Sequence, residues 1–426
     1  MVTPGAQTPP MGWNSWDCFG TSVTEAEVLA NAEFMAERLL PLGWDTVVVD
    51  IQWHDPGAVA GSYNVDADLC LDGYGRPVPA ENRFPSAAGG AGFGPLADRV
   101  HALGLRFGLH LMRGIPRLAV AAGLPVHGTG STAADVADPA SICDWNGDNV
   151  GIDHDHPDAQ AYYDSVCALF AQWGVDFVKV DDMLGPYHER EIEAFSRAVR
   201  GCGRPMVLSL SPGRELSVSR ADHLRAHADM WRVSDDLWDR WEDVHDQFAR
   251  MASWADHAGP GGWPDADMLP LGHIGIRAER GPERDSRLTR DEQRTMMTLW
   301  CVSRSPLMLG GHLPSTSDET LSLLTNHEVL TVHRASSDNR EVMRRADQVL
   351  WAARAEAVEG RYLAAFNLGP APMEVVLDPA TLGAEAVRVR DLWRQEDLAL
   401  APDGSLRLDL PSHGSALLHV AADATT

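Results

Sequence analysis

The stretch "QWGVDFVKVD", residues 172–181, decides the fold. A glycine that ends a helix is followed by two linking residues and then a continuous apolar run. "PLGWDTVVVD" (41–50) and "ALGLRFGLHL" (102–111) repeat the same grammar. A helix, a glycine and a short run rich in Val, Leu and Phe make the junction into a parallel sheet, whose strands are buried on both faces. The segments before these runs read as helices. "TEAEVLANAEFMAERL" opens with a Thr cap and a Glu downstream, and "HPDAQAYYDSVCALFAQW" has apolar residues at helical spacing.

Three further apolar runs, in "RPMVLSLSP", "HADMWRVSDD" and "RSPLMLGG", carry the alternation of strand and helix over about 320 residues. The α/β class leaves two main architectures, the doubly wound sheet and the barrel. No G-x-G-x-x-G follows any of the strands, so the barrel is the better reading. After residue 332 the pattern changes to short alternating runs such as "QVLWAARAE", "GRYLAAFNLG" and "SALLHVAA", divided by Gly, Pro, Asn and Asp. That pattern predicts an antiparallel β-sandwich. The expected organisation is a (β/α)8 TIM barrel over 1–332 and a C-terminal β-sandwich over 333–426.

The formal charge of −26 repels phosphate backbones and anionic membranes, which argues against nucleic-acid binding and for a neutral or cationic ligand. No run of eighteen apolar residues exists, so no membrane span is expected. The opening "MVTPGAQTPPMGWNSW" lacks a basic n-region and an apolar h-region, which leads to a cytoplasmic expectation. Six scattered cysteines form no C-x-x-C pair, so neither a zinc knuckle nor a dithiol redox motif is expected.

In a barrel the C-terminal strand ends carry function. Here they deliver Asp50, His110, Asp181 with Asp182, Ser211, and Asp235 with Asp236. Aspartate is costly to bury, so a series of them on successive strand ends points to chemistry. Two carboxylates facing each other across a neutral ligand suit glycoside hydrolysis: one attacks the anomeric carbon and the other protonates the departing oxygen. Lys179 is the only lysine among 35 basic residues, and it lies two residues before Asp181, on the same side of the strand. An ammonium about 4 Å from that carboxylate would gain on the order of 4 kcal/mol and hold it ionised. Trp13, Trp16, Trp53, Trp231 and Trp263 cluster around these positions as candidate sugar-stacking faces.

The ordered motifs "PPMGWNSWDCFG", "VVVDIQW", "FVKVDD", "WRVSDD", "GGWPDADMLPLG" and "MMTLWCVSRSPLMLGGHL" closely resemble glycoside hydrolase family 27, the α-galactosidase family, from about Pro9 to His333. The resemblance implies a retaining exo-glycosidase that removes terminal α-D-galactosyl or a related sugar, with a carbohydrate substrate and no metal or organic cofactor. By motif it puts the nucleophile at Asp181 and the acid/base at Asp236, four residues after Arg232. Lys179 and Arg232 take the place of contacts to sugar hydroxyls, Asp50 that of a reader of the non-reducing end, and Trp16 that of an aromatic wall. His110 stands where a tyrosine is common.

Two departures bear on the sugar. The pair of aspartates after the second strand is Asp50 followed by Ile51, and the position of a glutamate reading the 2-hydroxyl falls at Leu210, with Ser211 beside it. A site that loses a hydroxyl-binding group relaxes or redirects its choice. β-L-Arabinopyranoside, which lacks C6, and the isomaltose-releasing dextranases of the family are therefore the alternatives. The segment "MRGIPR", with Arg113 and Arg117, is read as shaping the mouth of the site. Two readings from other classes are a metal-dependent barrel hydrolase, suggested by "DHDHPD" (153–158) with a strand-end lysine, and a sugar-binding barrel without catalysis.

Overall fold

The computed structural model describes residues 2–61, 63–383 and 387–422. Eight parallel strands form one sheet: β1 (Met11–Asn14), β2 (Thr46–Val49), β3 (Arg106–Met112), β4 (Phe177–Asp181), β5 (Val207–Leu210), β6 (Met230–Arg232), β7 (Trp263–Asp265) and β8 (Leu307–Leu309). They stand in sequence order from β1 to β7, and β8 pairs with the free side of β1. Leu269, just beyond β7, makes a parallel bridge to Leu309 in β8, which closes the circuit. This is the expected TIM-like barrel, and helices alternate with its strands along the chain.

The local causes are those read from the sequence. Gly104 (φ 84°) and Gly174 (φ 81°) adopt the left-handed backbone that ends a helix just before a strand. In β2 all four residues of "TVVV" are buried, as a strand covered on both faces requires. The helix Glu25–Arg38 begins at Thr24, whose N–H and hydroxyl both donate to Glu27 at 2.9 Å. The sequence reading did not assign β1 and β7 as strands. Both are very short and polar-ended, "MGWN" and "WPD", and pairing with strands on either side makes them strands where their own pattern does not.

The chain divides into two compact units. The first holds Met1–Asp236, Pro260–Asp285 and Leu307–Thr316, and therefore all eight barrel strands. The second holds Leu237–Gly259, Ser286–Pro306 and Ser317–Thr426. Its sheets are antiparallel: a six-stranded one from β9 (Ser336–Arg345), β10 (Gln348–Ala355), β11 (Arg361–Asn367), β13 (Val387–Asp391), β14 (Glu396–Leu398) and β16 (Ser415–Ala422), and a pair from β12 (Met373–Leu377) and β15 (Leu406–Leu410). In "LRLDL" buried leucines alternate with exposed residues. The inward rows of both sheets, including Leu350, Leu363, Val375, Leu377, Leu408 and Leu418, share one apolar core, which makes this a β-sandwich. Helices of the second unit pack on it: Phe248 meets Phe366 edge to face at 4.9 Å, and Trp241 stacks on His413 at 4.0 Å.

Candidate active site

Strand register places the first layer of the site. His110 in β3 lies opposite Lys179 in β4, and Lys179 lies opposite Ser209 in β5. Asp181 ends β4 and follows Lys179 by two, so both face the barrel interior. Leu210 pairs with Val180, so alternation turns it away from that side, and Ser211 is the residue that enters the site. The position expected at Leu210 is thus filled by the serine hydroxyl.

Asp181 is bonded on both oxygens. His110 Nε2 donates to Oδ2 at 3.0 Å; Ser211 Oγ, at 2.9 Å, and the Asp182 amide, at 3.2 Å, donate to Oδ1. Burial alone would raise the carboxyl, but the His110 bond, the Lys179 charge and the Ser211 bond outweigh it and hold Asp181 well below the usual carboxylate range. Lys179 acts on Asp181 only through its field. Its direct partner is Asp50, with Nζ donating to Oδ2 at 2.9 Å, in place of the Asp181 contact expected from spacing. Asn14 Nδ2 donates to the same oxygen at 2.7 Å and the Ile51 amide to the other at 2.8 Å. Burial opposes charge on Asp50, yet Lys179, His110 and these bonds lower its carboxyl from the ordinary value. The ammonium is raised despite burial, because Asp50 and Asp181 are both close.

A second charged group stands on β6 and β7. Arg232, the last residue of β6, lies opposite Asp265, the last of β7. Its Nη1 is 2.7 Å from Asp267 Oδ1 and its Nη2 is 3.2 Å from Asp236 Oδ1. Asp236 and Asp181 line one cavity of about 290 Å³, with Tyr63, Trp145, Gly185, Pro212, Arg214, Asp235, Glu279 and Arg280. The two catalytic candidates differ in exposure: the Asp181 side chain is 13% exposed and that of Asp236 29%. Asp235 is half exposed and lies 3.7 Å from Arg214 at the rim. Glu279 is raised above the usual glutamate value by burial, against Arg280, with Asp236 and Asp235 adding to it.

Tyr63 and Trp145 line the cavity with centroids 4.9 Å apart, and the buried Trp16 stacks on Tyr63 at 5.4 Å without lining the cavity itself. Trp13, Trp53, Trp231 and Trp263 are fully buried and stack on no ligand face. Trp53 instead ties its indole N–H to the His110 carbonyl at 2.7 Å. Arg113 is buried against Asp182, its Nε 2.8 Å from Oδ2, and bonds Ser141 Oγ at 3.0 Å, while Arg117 donates to the Ala67 carbonyl at 2.9 Å. Both arginines brace loops. In "DHDHPD", His154 lies 3.2 Å from Glu191 and His156 accepts from the Asp158 amide at 3.2 Å, so neither joins Lys179.

Two family models match the chain: one described as "Alpha galactosidase A" over residues 149–335, and one described as "Alpha galactosidase C-terminal beta sandwich domain" over 346–420. Among curated proteins, α-galactosidase 3 of Arabidopsis thaliana is 26% identical over 420 residues, spanning 96% of this chain and 80% of that one. The crystal structure of a GH27 β-L-arabinopyranosidase from Geobacillus stearothermophilus is 50% identical with a TM-score of 0.96, and the match covers 99% of this chain and 98% of the other. The chain belongs to glycoside hydrolase family 27. A second structure of the Geobacillus protein, a variant in complex with arabinose, matches at 51% identity with TM-score 0.96 over 98% of both chains. As a family 27 member the chain is a glycoside hydrolase, and its substrate is a carbohydrate.

Around the cavity and its charged groups stand residues that strand-end reasoning passed over. Asn14 and Asp17 sit in "GWNSWD", Asp265 and Asp267 in "GGWPDADML", and Tyr63, Trp145 and Glu279 in long loops. Asp17 is fully buried and its Oδ2 has no hydrogen-bond partner among the described residues. Burial, then Asp267 and Asp236, raise it well above the ordinary value against Lys179. A Cβ on Gly310, beyond β8, would fall 1.8 Å from this oxygen, which explains the glycine in "LMLGG". The signal for these four acids and amides was their place in the quoted motifs. The loop residues had none.

Proposed function

We propose that the chain is a retaining exo-glycosidase that prefers β-L-arabinopyranosides and hydrolyses α-D-galactosides more slowly. The carrying observation is Ile51, a buried isoleucine directly after Asp50, where the α-galactosidases have a second aspartate. Asp50 has both oxygens engaged by Asn14, Lys179 and the Ile51 amide, so it does not substitute freely for the missing acceptor. β-L-Arabinopyranose has the ring configuration of α-D-galactopyranose without C6, so a pocket lacking that acceptor loses nothing by binding it. The 50% identity to the Geobacillus β-L-arabinopyranosidase supports the same choice.

In this mechanism Asp181 attacks the anomeric carbon while Asp236 gives its proton to the glycosidic oxygen, and the aglycone leaves. Asp236 then takes a proton from water, which displaces Asp181 and restores the configuration. The two environments suit the two tasks. Asp181 is enclosed and kept anionic by His110, Ser211 and Lys179, as a nucleophile must be. Asp236 is more exposed and positioned by Arg232, open to the leaving group and the incoming water. Lys179 positions Asp50, and both stand where the hydroxyls of a terminal sugar would be read. Tyr63 and Trp145 supply an aromatic wall, backed by Trp16 stacked on Tyr63.

Initial rates on 4-nitrophenyl β-L-arabinopyranoside and 4-nitrophenyl α-D-galactopyranoside test the choice: kcat/KM should favour the pentoside. A larger value for the galactoside would replace this reading with that of an α-galactosidase. Among the described residues no helix is long and apolar enough to cross a membrane. A cytoplasmic location and indifference to nucleic acids and membranes, in keeping with the −26 charge, complete the proposal, with cell fractionation as the check.

A further inference from the structure

Away from the catalytic cavity, Glu193 on the helix Glu189–Gly201 meets His223 and His227 on the helix Ala221–His227, with one donor atom from each all within 4.8 Å of one another. The histidines are four residues apart, so one helix face carries both, and their ring centroids are 4.6 Å apart. His223 Nε2 lies 3.7 Å from Glu193 Oε1, too far for a hydrogen bond. The distance is close to the roughly 3.3 Å edge of a tetrahedron whose metal–ligand bonds are about 2.0 Å long. That nitrogen is enclosed by protein and has no hydrogen-bond partner among the described residues. The other ring nitrogen, Nδ1, is 2.6 Å from Tyr187 Oη. When Nδ1–H donates to the tyrosine, Nε2 is left with a bare lone pair facing a carboxylate. A desolvated acceptor opposite an anion is unfavourable until a cation lies between them.

We propose that Glu193, His223 and His227 form a binding site for a divalent transition metal of the zinc class, with Tyr187 as the outer partner that fixes the His223 tautomer. Two imidazoles and one carboxylate are ligands zinc accepts, and three protein ligands leave a fourth position to solvent. The outer contact to Tyr187 is of the kind that orients metal-bound histidines. Glu193 Oε2 is 3.5 Å from Arg197 Nη1, a neighbouring cation that competes with a metal ion for the carboxylate. The site is separate from the hydrolytic chemistry, because none of its three ligands lines the cavity of Asp181 and Asp236. It still reaches that cavity through the chain: Tyr187 lies two residues after Gly185, which lines it. Bound metal would therefore tie the two helices to the loop that follows the nucleophile.

Isothermal titration of chelator-treated full-length protein with ZnCl2 tests the proposal. One zinc per chain is expected, with affinity falling at least tenfold in His223→Gln and His227→Gln and about tenfold in Tyr187→Phe. Cobalt(II) should give visible d–d bands of tetrahedral intensity in the parent and lose them in the double histidine variant. Glu193→Ala, at a partly exposed position, keeps the test open if that double variant fails to fold, and should also bind zinc at least tenfold more weakly with an unchanged circular dichroism spectrum. Absence of saturable binding, or undiminished binding in these variants, would overturn it.

Discussion

Replacing Lys179 by methionine keeps most of the side-chain stem and removes the charge, and its main effect should pass through Asp50. The ammonium and carboxylate stand 2.9 Å apart, and both groups are largely buried. At an effective dielectric near 20 their attraction is about 6 kcal/mol before desolvation is counted. Asp50 keeps its bonds from Asn14 and the Ile51 amide, so the expected loss of stability is about 3 kcal/mol, the low end for breaking a buried pair. Asp50→Asn removes the opposite charge. In a double-mutant cycle the combined variant should lose less than the sum of the single variants, with a coupling of at least about 1.5 kcal/mol. Urea unfolding of the four proteins, followed by tryptophan fluorescence, measures the coupling. Additivity within about 0.5 kcal/mol would refute the pairing. Lys179→Arg keeps the charge but puts a planar fork in a slot shaped for a compact ammonium, and kcat/KM should fall about 100-fold. Near-normal rates in that variant would make the sole lysine an accident of composition.

Ser211→Ala removes a bond that favours the charged form of Asp181, so the acid limb of the kcat/KM profile should move to higher pH; an unmoved limb would separate Ser211 from the ionisation of Asp181. Ile51→Asp should lower the preference for β-L-arabinopyranoside over α-D-galactoside about 10- to 100-fold, the worth of one hydrogen bond to a charged group, and an unchanged ratio would dismiss Ile51 as the discriminator. Burial, partly offset by Arg113 and reinforced by Asp181, pushes Asp182 up to about 6, above the unfolded value near 3.9. The folded state then holds more protons between those values, so this group's contribution to stability falls as pH rises from about 4 to about 6. In thermal melts over that window the parent should lose stability relative to Asp182→Asn as pH rises, and a constant gap between the two curves would contradict the shift.

The barrel was legible because its strands read as short continuous apolar runs, three of them announced by a helix-ending glycine. Six of the eight strands read this way. "MGWN" and "WPD" did not, since four and three residues are too few to show a period and only their neighbours make them strands. The acids at strand ends were legible for a different reason: buried aspartate is costly, so its recurrence marks a site. The pairing among them was not. Lys179 is two residues from Asp181 in sequence but bonds Asp50, just past the end of β2, because register across β2, β3 and β4 sets which groups meet. Leu210 and Ser211 exchange roles through the same alternation. Tyr63, Trp145 and Glu279 come from loops without periodicity, and nothing in their local sequence separates them from ordinary surface residues.

The central claim is that Asp181 becomes covalently bonded to the sugar during turnover. Incubation with an activated 2-deoxy-2-fluoro glycosyl substrate of the preferred sugar, then proteolysis and peptide mass spectrometry, tests it most directly. The account predicts time-dependent inactivation with a single label on Asp181 within "VDFVKVDDML" (175–184). Label on Asp182, Asp236 or any other residue, or inversion of the released sugar with no label at all, would contradict it.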